Sequence, residues 1–206
     1  MRLYQFPGSL NVRRVLMTAI QLGIDLELVT VDLPKGAHKR PEFLRLNPAG
    51  RVPVLEDDGF VLTESCAIQI YLCERTPGQA LYPHEVRARA DVNRWLFWSA
   101  QHFMASIGLL NFEYVVKRFL GQTSDADAVA HGEALVAENA KLLDQHLAGR
   151  TWVSGAQLTI ADLALAAPLC AIEQAKLPLT SATYPNLFAW LARIEQLDAW
   201  KQTLPR

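Results

Sequence analysis

The chain has 206 residues, half of them apolar and a fifth charged, with 20 basic against 21 acidic side chains for a net charge of −1. That balance is too apolar for intrinsic disorder, carries no basic block to mark a nucleic-acid surface, and is ample for one or two domains that each bury a core. The longest apolar runs resemble Ala164–Cys170 and fall far short of the ~20 residues of a membrane span. The opening MRLYQFPGS lacks the apolar stretch and cleavage site of a signal peptide, so a cytoplasmic protein is expected. Cys66, Cys73 and Cys170 are odd in number, widely spaced and without a CxxC, which argues against a disulfide framework or a zinc site.

In chain order, Leu3 to Phe6 reads as a strand ended by Pro7-Gly8. Val12, Val15, Leu16, Ala19 and Leu22 fall on one helical face with Arg13, Arg14 and Gln21 opposite, and Gly23 sits where a helix ends. Leu26 to Leu33 alternates as a second strand, and Pro41 to Leu46 reads as a short helix stopped by Asn47-Pro48. Val52 to Glu56 and Phe60 to Thr63 bracket Asp57-Asp58-Gly59, whose residues tolerate the positive φ of a hairpin turn. Ser65 to Glu74 closes this part as a helix, giving the order βαβαββα over residues 1–78. After Thr76-Pro77-Gly78 strand signals vanish, and residues 86–206 read as an all-α domain. Trp95, Trp98, Phe103, Phe112 and Tyr114 mark its first long helix, and Leu135 to Leu147 carries the next stripe. Thr159 and Asp162 have the spacing of a capping box, with Leu158 and Leu163 placed as a staple. A last helix follows Tyr184-Pro185, with proline at its first position.

The chemistry-bearing stretch is NPAGRVPVLEDDGFVLTESCAI, residues 47–68. Proline cannot donate to a sheet ladder, so Pro53 is either the first residue of a strand or follows a cis bond that turns the main chain of Val52 outward. Glu64-Ser65 lies between a strand and a helix. Ser65 serves as a plain N-cap, or else the helix start receives a ligand carboxylate while Glu64 takes an ammonium. An anion site beside an ammonium acceptor suits a ligand with an α-amino-acid head.

The fragment NPxGxVPVL…ESxAIxxYL, on a βαβαββα half followed by an all-α half, resembles the cytosolic glutathione transferases, and TIADLALAAP resembles that family's capping-box helix. The likeness covers the whole chain and is to a serine-type, phi- or theta-like member of bacterial style. It implies a thioredoxin-like first domain with a cis Pro53, glutathione held by the Val52 main chain, Glu64 and Ser65, and a homodimer. It implies no metal and no prosthetic group. HKRPEF is similar to the His-Lys pair of the phi class, which makes His38 and Lys39 candidates for the glycine carboxylate, with Arg51 as a third; a solvated charged loop is the alternative. The spacing from Ser9 to Arg13-Arg14-Val15 resembles the serine-type classes, so Ser9 is the candidate donor to the glutathione sulfur and Asn11 its competitor. Both also suit a helix N-cap. Tyr4 points to the other face of its strand and reads as structural. The resemblance places a subset of the aromatic side chains in the pocket for an electrophile, and Cys66 reads as a buried, inert thiol, with a redox-modified one as the alternative. The resemblance implies an enzyme that stabilises the glutathione thiolate and conjugates it to a hydrophobic electrophile; the alternatives are glutathione-dependent peroxidase or disulfide-reductase activity, and a non-catalytic binding protein of the same fold.

Overall fold

The structure, a computed structural model, describes residues 1–204. Strand β1 (Arg2–Gln5) lies at the centre of the first part, parallel to β2 (Glu27–Thr30) on one side and antiparallel to β3 (Val54–Asp57) on the other. Strand β4 (Phe60–Leu62) completes the order β2-β1-β3-β4. Asp58 and Gly59 both take positive φ, 48° and 84°, in the two-residue loop joining β3 and β4. That is the backbone a type I′ hairpin needs, and it is why the turn reads so clearly from Asp-Gly.

The pleat assigns side chains to the two faces. Leu3 and Leu55 are paired across β1 and β3 and point to one face, where helices α1 (Leu10–Leu22) and α3 (Ser65–Glu74) cover them with Val12, Val15, Ala19, Ile68 and Leu72. Tyr4 and Val54 are paired on the other face, against Phe43 of α2 (Pro41–Leu46). The Tyr4 hydroxyl donates to Glu56 at 2.8 Å, and this bond, with partial burial, raises the phenol above its ordinary value. Tyr4 is therefore a sheet residue, on the face away from α1.

The helical part begins with α4 (Val86–Trp98), α5 (Met104–Asn111) and α6 (Lys117–Phe119). The π-helical segments Ser99–Phe103 and Phe112–Val116 join them, and every junction keeps helical dihedrals, so the three form one rod. Helix α7 (Ala126–Leu147) packs antiparallel-fashion along it through Val136, Ala140 and Leu143. Helix α8 (Ile160–Ala166) is buried along its whole length at the centre, α9 (Pro185–Ile194) packs against α7 and α8, and α10 (Asp198–Gln202) packs against α1. Among the described residues no helix is long and apolar enough to cross a membrane.

One face of α1 departs from its sequence reading. Arg13 and Arg14, expected on a polar outer face, are 3% and 0% exposed, because the helical part packs against that side of α1. The Arg13 guanidinium donates to the carbonyls of Ala167, Trp200 and Thr203 at 2.8, 3.2 and 3.0 Å and stacks over the Trp200 ring.

Asp162 is the corresponding buried polar centre of the helical part. It accepts from the Thr159 N–H and hydroxyl, as the spacing suggests, and also from Val153 N–H at 2.8 Å and Trp190 Nε1–H at 2.9 Å. One carboxylate thus ties the loop before α8 to α8 and α9. Asp162→Ala strands three buried N–H donors at ~1–3 kcal/mol each, so a denaturant titration should find stability lowered by about 3 kcal/mol or more. A variant as stable as the parent would mean that these bonds contribute nothing net.

Candidate active site

A cleft of about 530 Å³ opens between the N-termini of α1 and α3 on one side and the α4–α6 rod on the other. Its polar wall is Ser9, Asn11, Arg51, Val52, Glu64 and Ser65. The opposite wall is Ala100, Met104, Ala105, Gly108, Asn111 and Val116.

Local structure explains each polar position. Ser9 is the N-cap of α1, and its Oγ accepts from the Val12 N–H at 3.3 Å. A hydroxyl used only as an acceptor keeps its proton free to donate. The Ser65 hydroxyl donates to Asn11 Oδ1 at 3.3 Å, which draws the start of α3 against the start of α1 and leaves the Asn11 NH₂ available. Glu64 precedes α3 at φ 66° and ψ 112°, a backbone conformation that side chains other than glycine rarely adopt and that clusters at ligand sites. This places the exposed Glu64 carboxylate at the cleft beside the first turn of α3, whose N–H groups and dipole favour an anion.

The Val52-Pro53 bond is cis, and Pro53 is buried beneath the half-exposed Val52. The loop before it is held by Asn47, which is 7% exposed. Its Nδ2 donates to the Arg51 carbonyl at 2.8 Å, and its Oδ1 accepts from the Ala49 N–H at 3.0 Å. Gly50 in this loop has φ +61°, and a Cβ there would stand 3.1 Å from the His38 carbonyl.

Of the sequence candidates, Ser9, Asn11, Arg51, Val52, Pro53, Glu64 and Ser65 all line the cleft. His38 and Lys39 do not. They sit at the short 3₁₀ turn Ala37–Lys39 behind the Gly50 loop, with Lys39 exposed and His38 half-buried. The aromatic reading needs correction, because none of Trp95, Trp98, Phe103, Phe112 and Tyr114 lines the cleft. Trp95 and Phe103 are core residues, packed with Trp98 in an edge-and-stack cluster, and Phe112 faces solvent. The lining instead uses the small and aliphatic residues between them, a face that periodicity alone does not separate from the core stripe. Cys66 also departs from its reading: it is half-exposed and lines the cleft beside Arg14. Among the described residues no three His, Cys, Asp or Glu side chains converge as a metal would require.

Two family models match this chain: the glutathione S-transferase N-terminal domain over residues 1–74 and the C-terminal domain over residues 103–198. Glutathione S-transferase 3 of Zea mays is 36% identical over 99% of this chain and 93% of its own length. The chain belongs to the glutathione S-transferase family. Human glutathione S-transferase theta-2 is 35% identical over 89% of this chain and 75% of its own. The crystal structure of glutathione transferase F2 from Populus trichocarpa superposes with a TM-score of 0.91 at 26% identity, covering 98% and 96% of the two chains. The relatives thus span plant and theta types, and the thioredoxin-like sheet followed by a helical domain is this family's fold.

The loop geometry of this transferase can be tested at Gly50. Gly50→Ala must hold a side chain at positive φ against the His38 carbonyl, and stability should fall by about 1–3 kcal/mol. An unchanged thermal midpoint would mean that the loop relaxes without strain.

Proposed function

We propose that this glutathione S-transferase conjugates glutathione to an apolar electrophile within the cleft described above. The observation that carries this reading is the convergence of Ser9, Val52 and the pair Glu64-Ser65 on one cleft from three separate segments of the sequence. In this reading the outward main chain of Val52 pairs with the tripeptide backbone. Glu64 accepts the γ-glutamyl ammonium, and Ser65 with the first turn of α3 receives its carboxylate. Arg51, which reaches the cleft, and His38 and Lys39, which lie behind the Gly50 loop, supply the positive side that the glycine carboxylate needs. The apolar wall of Ala100, Met104 and Gly108 receives the electrophile. The division at residues 1–78 and 86–206, a homodimer, a cytoplasmic location and the absence of any cofactor besides glutathione belong to the same proposal.

Ser9 is assigned to the sulfur. A free thiol near pKa ~8.5 is only a few per cent ionised at neutral pH, and lowering that value by ~2 units takes ~2.7 kcal/mol of preference for the thiolate. One hydroxyl bond to a charged sulfur supplies ~1.5–3 kcal/mol, and the start of α1 adds ~0.3–1. Together they suffice. Ser9→Ala should cut kcat/KM roughly tenfold or more near pH 6.5 and less near pH 9, where the thiol ionises unaided. Affinity should change little, because Val52, Glu64 and Ser65 still hold the tripeptide. A pH-dependent loss in Asn11→Ala but not in Ser9→Ala would move the role to the amide.

The γ-glutamyl contacts have their own test. Charge-assisted bonds are worth ~1.5–3 kcal/mol each, so Glu64→Ala should weaken glutathione binding by roughly tenfold to a hundredfold in calorimetry. Unchanged affinity would put glutathione elsewhere. A panel of halogenated aromatics, epoxides, unsaturated carbonyls and peroxides, assayed with glutathione, tests the activity itself, with conjugation expected to exceed peroxide reduction.

A further inference from the structure

Helix α1 contributes a second arginine to the interior, and its environment differs from that of Arg13. Arg14 is 0% exposed and lines the cleft. Its Nη1 donates to Cys66 Sγ at 3.0 Å, while Nε and Nη2 are buried without any hydrogen-bond partner. Arg13 satisfies its guanidinium with three carbonyls; Arg14 finds one sulfur and, among the described residues, no carboxylate. A buried guanidinium left this way calls for an anion, because an uncompensated charge in the interior is strongly unfavourable. The Cys66 sulfur is the atom that meets this guanidinium, and its S–H in turn donates to the Leu96 carbonyl at 3.8 Å. Cys66 is the second residue of α3, whose first-turn N–H groups add to the positive surroundings. Such an electropositive, partly open setting is where cysteine sulfurs act as nucleophiles.

The other two cysteines are placed differently. Cys73 is 1% exposed, and burial pushes its thiol up to about 12. Burial also raises Cys170, against the pull of Arg13. Of the three, Cys66 alone lines the cleft.

We propose that Cys66 is a redox modification site that forms a mixed disulfide with glutathione and thereby closes the cleft. The inference rests on the cleft being a glutathione site. The co-reactant is glutathione disulfide, which carries the same γ-glutamyl head that Glu64 and Ser65 are built to hold, so binding raises its effective concentration at Cys66. The Cys66 sulfur attacks one sulfur of the disulfide, a new S–S bond forms, and the original one breaks. One glutathionyl group stays on Cys66. The other departs as glutathione, taking the proton that Cys66 gives up. Excess free thiol runs the exchange backwards. Because the adduct occupies the space of the co-substrate, conjugation stops while it persists, and the transferase responds to the ratio of oxidised to reduced glutathione.

The experiment incubates the intact protein with glutathione disulfide, maps adducts by peptide mass spectrometry, and follows conjugating activity. The expected result is one glutathionyl group, on Cys66, with activity lost in proportion to the modified fraction and restored by dithiothreitol. Cys66→Ser and Cys66→Ala should each keep their own starting activity throughout the incubation. Saturating S-methylglutathione, which occupies the cleft and cannot exchange, should block the adduct. Modification first at Cys73 or Cys170, no adduct at all, or equal loss of activity in both Cys66 variants would overturn the proposal. Calorimetry with S-methylglutathione separates the two levels. Binding without an adduct on Cys66 overturns the inference alone, whereas no binding overturns the glutathione reading and the inference with it.

Discussion

The Arg13 guanidinium, buried between the two parts of the molecule, is the constraint on which the cleft depends. A charge that deep requires donors and acceptors to be matched closely, and here the carbonyls of Ala167, Trp200 and Thr203 meet it with the Trp200 ring stacked alongside. These carbonyls lie at the C-terminal ends of α8 and α10, where helices carry partial negative charge. The bond set therefore does two things at once. It sets a positive charge against the negative ends of two helices, and it locks the helical part onto α1. On its opposite side α1 is held by the sheet through Val12, Val15 and Ala19. The cleft sits at the N-terminus of this doubly held helix, so both its walls refer to a single rigid element.

Much of the first part was legible because its turns are written in glycine, proline and aspartate. Gly23 ends α1 at φ 67°, Asp58-Gly59 makes the hairpin, and Pro41 opens α2. These residues act through their own backbone preferences, so local sequence suffices. Strand ends were less sharp: β2 runs only from Glu27 to Thr30, within the longer alternating stretch Leu26 to Leu33. The fates of Arg13 and Arg14 were not legible. A helix wheel with arginines opposite an apolar stripe describes a solvated face equally well. Only the arrival of the helical part, more than a hundred residues later in the chain, makes that face interior. Asp162 shows the same divide. Its bonds to Thr159 follow from a three-residue spacing, whereas those to Val153 and Trp190 are tertiary.

The site divides along the same line. Ser9, Asn11, Val52, Glu64 and Ser65 were readable because each sits at a strand or helix end, where main-chain groups are free to face a ligand. The apolar wall was not, because it belongs to a helix hydrophobic on several sides. The two π-helical segments explain why the aromatic stripe misleads. Each five-residue π turn shifts the phase of the residues that follow, so a 3.6-residue count carried from Trp95 to Tyr114 does not track one face. Ala100, Met104 and Val116 reach the cleft from within or just beyond those turns, while Trp95 and Phe103 pack inward and Phe112 faces solvent.

A wall made mostly of alanine, glycine, valine and methionine, with Asn111 its one polar side chain, has a chemical consequence that an aromatic wall would not have. Small side chains leave volume, and methionine adapts its three torsions to whatever occupies it. Neither fixes a ring by stacking. The polar wall is the opposite, with its residues set by N-caps, a hairpin, an asparagine-braced loop and a positive-φ glutamate. On the proposed function, precision is therefore concentrated on the side assigned to the tripeptide and its sulfur, and tolerance on the side assigned to the electrophile. Rate in such a site comes from presenting one activated nucleophile in a fixed place, since proximity and charge stabilisation act on the sulfur whatever lies opposite. Selectivity among electrophiles then follows their own reactivity and apolar area more than contacts with individual side chains, because a methylene more or less in such a pocket changes binding by only ~1–3 kcal/mol.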